Sequence, residues 1–321
     1  MDENDVLDLL SSVEDPDLEG DIVSHGLVND VAVSDGVVSV DLALGAPYSP
    51  TETGIAEEVR SILAEEGFEV ELSASIDRGL APEEDVLPDV KNLIAVASGK
   101  GGVGKSTVAV NLAAGLSRMG ARVGLFDADV YGPNVPRMLA ADQGPTVTDD
   151  ETMLHKVLTQ LWEDVEWGAL DYMVIDLPPG TGDTQLTMLQ SVPISGAVVV
   201  TTPQEVAVDD ARKGLRMFGK HDTPVLGIVE NMSGFRCPNC GEEHDLFGKG
   251  GGRDFADENR MPFLGELPLD PAVREGGDSG RPVVLEEGET SEAFREFVRS
   301  TADMQGIVHR RRVSDGGGTS R

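Results

Sequence analysis

ASGKGGVGKST, residues 97–107, decides the fold of this chain. Gly99, Gly104, Lys105 and Ser106 match G-x-x-x-x-G-K-[ST], the pattern of a loop that wraps around phosphate groups. In such a loop the glycines allow backbone N–H groups to turn inward towards an anion. Four residue types match the pattern at fixed spacing. A glycine-rich turn that binds no ligand is therefore a poor explanation of this stretch.

The segments on either side of the loop have the character that phosphate binding requires. LIAVAS, residues 93–98, is a short apolar run typical of a buried parallel strand. Beyond the loop, apolar residues recur at helical spacing, and these are Val108, Leu112, Leu116 and Met119. A helix that begins at the loop adds its partial positive charge to the anion site. The sequence therefore predicts a strand, a phosphate loop and a helix.

Each part of the loop has an expected chemical task. Lys105 is expected to reach the β- and γ-phosphates of ATP, and the Ser106 hydroxyl is expected to bind Mg²⁺. Lys100 is a second lysine where phosphate binding needs one, and the chain has only seven lysines, so a solvated loop lysine is a poor explanation of it. The residues predicted to surround the nucleotide are Gly99, Lys100, Gly101, Gly102, Val103, Gly104, Lys105, Ser106 and Thr107.

From residue 93 onwards, apolar strand-like runs alternate with helical patterns. The further runs are ARVGLFDAD, DYMVIDLPP, SGAVVVTTP and TPVLGIVEN. Their nearly continuous apolar character is typical of parallel strands that are covered on both faces. The pattern predicts a doubly wound, mostly parallel α/β P-loop domain, with its ligand at the carboxyl ends of the strands.

Acidic residues stand at two of those predicted strand ends. Asp176 ends the run YMVID, where a carboxylate is expected to hold Mg²⁺ directly or through water. Asp127 and Asp129 end the run VGLFDAD, where a carboxylate can position the attacking water. A single acid in so acidic a chain is usually a solvated loop residue, but acids at the ends of two separate buried strands favour function.

The remaining segments predict a small domain, a linker and a tail. Residues 1–80 combine two helical stripes, an alternating hairpin and a third strand, which predicts a small α+β domain. Residues 81–92 are polar and contain prolines, so they are interpreted as a linker. The P-loop domain is predicted to span residues 93–308, and residues 309–321 are expected to be a disordered tail.

The composition restricts the partners. The chain has 321 residues, with 58 acidic against 25 basic side chains and a net charge of −33. Binding to nucleic acid needs a basic surface, so nucleic acid is not an expected partner. No apolar run reaches membrane-spanning length and the acidic N-terminus does not resemble a signal peptide, so a cytoplasmic protein without a membrane partner is expected. Low lysine content and dispersed acidity favour a halophilic source, such as a halophilic archaeon.

Cys237 and Cys240 are the two cysteines of the chain, and their C-x-x-C spacing indicates metal or redox chemistry. A closed cluster or zinc site usually needs four ligands, so one chain offers half of a four-cysteine site and a two-fold dimer would supply the rest. Zinc held by Cys237, Cys240 and His244 is an alternative interpretation. A redox disulfide and a pair of inert buried cysteines are two more.

Several longer segments together resemble a known family. GKGGVGKST, FDADVYGPNVPRML, IDLPPGTGD, TTPQEVAVDDARKG and VENMSGFRCPNCG are similar to the motifs of Mrp/ApbC-type iron–sulfur cluster carriers, a branch of the ParA, MinD and Fe-protein class of ATPases. The resemblance covers about residues 90–308. Residues 1–80 resemble the small iron–sulfur assembly domain that often precedes these ATPases.

The resemblance implies roles for individual residues. Lys100 would reach across a homodimer to the partner's ATP, Asp129 would position the attacking water, and Asn231 would contact adenine. Cys237 and Cys240 would hold a 4Fe–4S cluster between two subunits, for transfer to recipient apo-proteins during slow ATP turnover. Rival functions are a MinD- or ParA-like spatial organiser, a zinc-binding regulatory ATPase and an electron donor of the nitrogenase-reductase type, whose cysteines lie far apart in sequence.

Two departures from the family pattern are expected to matter. Residues 140–155 are shorter than is usual in the family, which predicts the loss of an edge strand. The loop GAPYSPTE has Tyr48 and Ser49 where the small domain often has a cysteine. We therefore expect that the small domain does not ligate a cluster through cysteine.

Overall fold

The computed structural model describes residues 2–34, 36–76, 86–129, 134–139, 165–237, 240 and 242–316. They divide into two compact units. The small unit contains residues 1–80 together with the C-terminal residues 302–321, and the large unit contains residues 81–301. The shortened segment 140–155 lies outside the described residues, so the loss of an edge strand there stays a prediction.

The small unit is an α+β structure, as its patterns predict. Its elements before the C-terminal segment are α1 (Glu3–Leu10), β1 (Val28–Ser34), β2 (Val37–Leu42), α2 (Pro50–Glu65) and β3 (Glu69–Ala74). The sheet order is β1-β2-β3, in which β2 pairs antiparallel with β1 and parallel with β3. The alternation of Val38, Val40 and Leu42 places one face of β2 in the core.

Both helices of the small unit begin at polar caps. The Asp2 carboxylate accepts the N–H groups of Asn4 and Asp5 at the start of α1. The Ser49 hydroxyl accepts the N–H group of Glu52 at 3.1 Å, and Pro50 follows at the first helical position, where a missing N–H costs nothing. These caps satisfy N–H groups that a helix start leaves unpaired.

The final helix corrects the predicted boundaries of the chain. It is a single element of Glu289–Gly316, and its part after residue 301 belongs to the small unit. The predicted disordered tail is therefore wrong for residues 309–316, while residues 317–321 lie outside the described part. The reason is burial, because His309 and Arg310 lie inside the small unit rather than in solvent.

The large unit is built on a parallel sheet. Its strands are β4 (Val90–Ser98), β5 (Val123–Asp127), β6 (Leu170–Asp176), β7 (Gly196–Thr201), β8 (Val225–Arg236), β9 (Glu243–His244) and β10 (Phe263–Leu269). Six of them pair in parallel in the order β10-β8-β7-β4-β6-β5, and β9 pairs antiparallel with β8. Because β4 begins at Val90, the strand extends into the predicted linker.

Helices connect these strands. They are α3 (Lys105–Arg118), α4 (Val135–Met138), α5 (Asp183–Ser191), α6 (Glu205–Lys220), α7 (Gly251–Asn259) and α8 (Pro271–Ser279), followed by a 3₁₀ turn at Val283–Leu285 and by α9 (Glu289–Gly316). Successive residues of β4 are buried on opposite faces: Leu93 and Ala95 join one core cluster, while Ile94 and Val96 are buried outside that cluster. The sheet is thus covered on both faces, which confirms the doubly wound class. Among the described helices, none combines the length and the apolar character needed to cross a bilayer.

Candidate nucleotide site and cysteine hairpin

The phosphate loop joins β4 to α3, in the context that the sequence predicts. Gly104 is the N-cap of α3 and has a φ of 82°, a left-handed conformation that favours glycine. A side chain at position 104 would also overlap the Asn231 side-chain amide. At Gly99 the constraint is close approach alone, since a Cβ there would overlap the backbone of Asp210 in α6. Both glycines of the motif are therefore required by the packing of neighbouring elements.

Lys105 and Asp176 form a buried ion pair beneath the loop. The Lys105 ammonium donates to Asp176 Oδ1, and both side chains are buried. Asp176 Oδ2 has no hydrogen-bond partner among the described residues. Burial raises the pKa of the Asp176 carboxyl group, and the positive charge of Lys105 opposes that rise. The strand end of β6 thus presents one paired carboxylate oxygen and one unpaired oxygen beside the loop.

The two acids after β5 have different surroundings. Asp127 accepts N–H groups from the backbone of Asp129 at 3.0 Å, Asn134 at 2.9 Å and Val135 at 3.1 Å. Its carboxylate therefore ties the start of α4 to the end of the strand. Asp129 instead lines the cleft above the phosphate loop. Of these two acids, Asp127 therefore has a structural task, and Asp129 is the one that lines the cleft.

The cleft above the loop has a volume of about 360 Å³. The predicted site residues that line it are Lys100, Gly101, Gly102, Gly104, Lys105, Ser106, Thr107 and Asp129. Arg137, Arg274 and Asp278 also line it, and Arg137 lies 3.6 Å from Asp278 in an exposed ion pair. These three residues were not predicted from the sequence, because they lie on α4 and α8 and not at the end of a strand. A single arginine or aspartate on a helix carries no signal in sequence alone.

Asn231 lies against the phosphate loop from β8. Its side-chain amide is buried and donates to the Val103 carbonyl at 2.8 Å. Two residues later, Ser233 lines a second cleft of about 580 Å³ at the ends of β8 and β10. Asn231 therefore supports the loop backbone, and its contact with adenine stays a prediction.

The C-x-x-C segment follows β8 and leads into β9. The Cys237 N–H group donates to the Glu242 carbonyl at 2.9 Å, which closes the connection between the two strands. Cys237 is half-buried, Cys240 is exposed, and the two are not joined by a disulfide. The interpretation as two inert buried cysteines is therefore wrong for Cys240.

Three side chains of types that can ligate a metal ion lie close together on this hairpin. The ligand atoms of Cys240, Glu242 and His244 all lie within 4.8 Å of one another, and all three residues are exposed. The zinc alternative predicted from the sequence combines Cys240 and His244 with Cys237 and does not include Glu242. A lone glutamate in a chain with 58 acidic residues carries no signal in sequence alone.

The C-terminal helix bears on the MinD-like alternative. Phe294, Phe297 and Val298 form the apolar stripe of the first half of α9, and each is at most 1% exposed. A membrane-targeting helix needs its apolar face free to enter the lipid. These residues are buried in the large unit and are not free to enter a membrane.

A phosphate loop between a parallel strand and a helix, with a Lys–Asp pair beneath it, defines the class of P-loop nucleotide-binding proteins. Two family models match this chain. The model for NUBPL iron-transfer P-loop NTPases matches residues 89–154 and 146–302, and the model for iron-sulfur cluster assembly proteins matches residues 3–71. The chain therefore belongs to the iron–sulfur cluster carrier family of P-loop NTPases. Within the chain, an iron–sulfur assembly domain precedes the NTPase domain.

Curated relatives span nearly the whole chain. The iron-sulfur cluster carrier protein of Synechocystis is 42% identical, over 90% of this chain and 93% of its own length. The protein of the same name from Escherichia coli K12 is 39% identical, over 92% of this chain and 89% of its own length. A nucleotide-binding protein from Archaeoglobus fulgidus, solved with ADP and with cobalt found in it, is 39% identical with a TM-score of 0.58, over 67% of this chain and 98% of its own.

Proposed function

We propose that this protein binds and slowly hydrolyses ATP, and that it carries an iron–sulfur cluster to recipient apo-proteins. The observation that carries the proposal is the combination, in one large unit, of a complete phosphate loop with an exposed C-x-x-C hairpin. The first supplies the nucleotide chemistry, and the second supplies thiolates for the cargo. Membership of the cluster carrier family supports the same assignment.

The nucleotide would bind in the cleft of about 360 Å³ above the phosphate loop. Its phosphates would accept the N–H groups of the loop and the ammonium group of Lys105. The Archaeoglobus fulgidus relative was solved with ADP, which supports a nucleotide at the equivalent loop here. Its adenine would extend past Asn231 towards the second cleft, which begins at Ser233.

The residues beneath the loop fit a magnesium ion. Magnesium prefers oxygen ligands and is usually held by one or two protein oxygens together with phosphate and water. Asp176 Oδ2 is a buried carboxylate oxygen without a hydrogen-bond partner among the described residues, and the Ser106 hydroxyl lines the cleft. Ser106 and Asp176 would hold Mg²⁺, which neutralises charge on the phosphates during transfer of the γ-phosphoryl group.

Hydrolysis would use one group from each subunit of a homodimer. Lys100 lines the cleft and is partly exposed, so its ammonium group would be available to a second copy of the chain. There its ammonium group would neutralise charge that develops on the partner's γ-phosphate, as an arginine finger does. Asp129 would position the attacking water from the wall of the same cleft.

The cargo would be a 4Fe–4S cluster bridged between two subunits. Each chain contributes the thiolates of Cys237 and Cys240, and a two-fold axis brings the four ligands together. The exposure of Cys240 suits a cluster that must be handed to another protein. The loop around Ser49 has no thiol, and Ser49 is fully buried, so the small unit would not share in cluster ligation.

Anaerobic reconstitution with iron and sulfide tests whether the protein carries a 4Fe–4S cluster. We expect a broad brown absorbance band and about four irons per dimer, as four-cysteine ligation requires. Cys237→Ala and Cys240→Ala should each abolish both signals. Ser233→Ala, a substitution on the same strand that removes no thiol, is the matched control and should keep them. A cluster that survives both cysteine substitutions would refute the carrier function as argued.

A further inference from the structure

The hairpin of β8 and β9 gathers three metal-binding groups within one chain. Cys240 Sγ, a Glu242 carboxylate oxygen and a His244 ring nitrogen lie within 4.8 Å of one another. We infer that these side chains form a mononuclear site for a divalent cation of the zinc class, held by a single subunit. This goes beyond the carrier function, because such a site needs neither a second copy of the chain nor inorganic sulfide.

The backbone of the hairpin prepares this arrangement. His244 pairs with Phe235 across the two antiparallel strands, which fixes the register of β9. Glu242 directly precedes β9, and its carboxylate lies near the His244 ring. The Cys237 N–H group donates to the Glu242 carbonyl, and Cys240 Sγ comes within 3.9 Å of Glu242 Oε2.

The donor set selects the class of ion. A thiolate, an imidazole and a carboxylate are the three ligand types of protein zinc sites, whereas magnesium and calcium prefer oxygen alone. Ligand atoms lie about 2.0–2.3 Å from zinc, and a tetrahedral arrangement then separates them by about 3.5 Å. Small rotations of exposed side chains bring atoms within 4.8 Å to that spacing.

Access and charge also favour an ion here. All three ligands are exposed, so a cation can enter from solvent without opening the fold. A net charge of −33 raises the local concentration of cations at the surface. Three protein ligands leave a fourth position for water, which keeps the ion exchangeable.

The site shares one residue with the proposed cluster site. Cys240 belongs to both, while Cys237 serves only the cluster and His244 only the mononuclear ion. A chain that holds the divalent ion therefore cannot accept the bridging cluster until the ion leaves. The ion would occupy the Cys240 thiolate and delay cluster loading.

Cobalt titration of metal-free, full-length protein under anaerobic conditions tests the site. Co²⁺ replaces zinc in tetrahedral sites and makes them visible through its d–d bands and a thiolate charge-transfer band. We expect one Co²⁺ per chain. His244→Ala and Glu242→Gln should each weaken binding at least about tenfold, since loss of a direct ligand costs no less than loss of its supporting groups. Cys240→Ser should remove the charge-transfer band.

Two controls separate this site from its alternatives. His221→Ala removes a histidine at the end of α6, outside the hairpin, and should leave cobalt affinity unchanged. Cys237→Ser should keep the mononuclear site but lose the reconstituted cluster, whereas His244→Ala should do the reverse. The inference is overturned if no cobalt binds, if His244→Ala binds it as tightly as the unmodified chain, or if two chains share one ion.

A competition experiment keeps this inference distinct from the carrier function. Protein preloaded with Zn²⁺ should reconstitute the cluster more slowly than metal-free protein, and His244→Ala should remove that delay. If no cluster can be reconstituted but cobalt binds normally, the carrier function is refuted and the mononuclear site is not. Normal reconstitution that zinc does not slow would refute the shared use of Cys240.

Discussion

Arg310 and Asp15, 295 residues apart in sequence, form a fully buried ion pair in which Arg310 Nε lies 2.6 Å from Asp15 Oδ2. The same guanidinium group reaches Asp17 Oδ2 at 2.6 Å and Glu52 Oε1 at 3.2 Å. The two ends of the chain thus meet at one side chain inside the small unit. Burial raises the pKa of the carboxyl groups of both Glu52 and Asp17, and Arg310 opposes each rise.

Arg310→Met should destabilise the small unit. The substitution leaves Asp15 and Glu52 buried without their positive partner, and breaking a buried pair in this way costs about 3–5 kcal/mol. Hydrogen exchange of the amides in β1, β2 and β3 would report the loss, and strand amides of the large unit serve as an internal reference. Arg311→Met, at an exposed neighbouring position, is the matched control. Equal protection in both variants would contradict the role of the pair.

His309 should make stability depend on pH. Burial, together with the charges of Arg312 and Arg310, lowers the pKa of its imidazole from 6.5 to about 4. Between these values the unfolded chain binds more protons than the folded chain, so stability is complete above pH 6.5 and falls as the pH drops towards 4. The loss approaches about 3 kcal/mol for a shift of this size.

Urea unfolding at pH 7.5 and pH 5 measures this effect. His309→Gln keeps a polar side chain but cannot be protonated, so the difference in free energy of unfolding between the two pH values should become smaller. Glu52 has the opposite sign, because its raised pKa makes stability fall as the pH rises above 4.5. Comparing the unmodified protein with His309→Gln at each pH cancels the contribution of Glu52 to the free energy of unfolding. An unchanged pH dependence in His309→Gln would contradict the prediction.

The sequence predicts those parts of the fold that depend on neighbours in the chain. The alternation of Val38, Val40 and Leu42 reveals a strand because it repeats every second residue. The phosphate loop is equally local, since its glycines, Lys105 and Ser106 lie within one motif. The parallel character of the sheet follows from the same patterns, because nearly continuous apolar runs are typical of parallel strands covered on both faces.

The parts of the structure that were not predicted depend on contacts between residues far apart in sequence. The run HRRR at residues 309–312 has the composition of a solvated tail, because buried arginine is rare unless it is paired. Its partners, Asp15 and Glu52, are ordinary acids among 58, so nothing local marks them. Arg274 and Glu242 escaped for the same reason, since folding rather than spacing brings each of them to a candidate site.

Gly99→Ala should destabilise the large unit even without nucleotide. A Cβ at position 99 would overlap the backbone of Asp210, so either the loop or α6 must move. Gly101→Ala is a close control within the same loop, because its Cβ would meet only Pro179 Cβ at 4.0 Å. Thermal unfolding of the nucleotide-free proteins should show a lower midpoint for Gly99→Ala alone. Equal midpoints would mean that the approach of α6 does not constrain the loop.

Lys105→Ala and Lys100→Ala should separate nucleotide binding from hydrolysis. Lys105 is buried against Asp176, and its removal deletes the positive charge beneath the phosphates, so binding of ATP should be lost. Lys100 is partly exposed at the cleft, so its removal should keep binding but abolish most hydrolysis. Calorimetry measures the first property and phosphate release the second. Lys213→Ala, on the exposed side of α6, is the control. Hydrolysis at the normal rate in Lys100→Ala would refute its role across the dimer.

Salt should stabilise this protein, and we propose that its acidity is an adaptation to high salt. With a net charge of −33, mutual repulsion of surface carboxylates favours the unfolded chain in dilute buffer. The screening length falls from about 30 Å at 0.01 M salt to about 3 Å at 1 M, so added salt shortens this repulsion. The melting midpoint should therefore rise steeply from dilute buffer into molar KCl, and NaCl should act equally if screening is the cause. A midpoint that does not move between dilute buffer and molar KCl would contradict the halophilic origin.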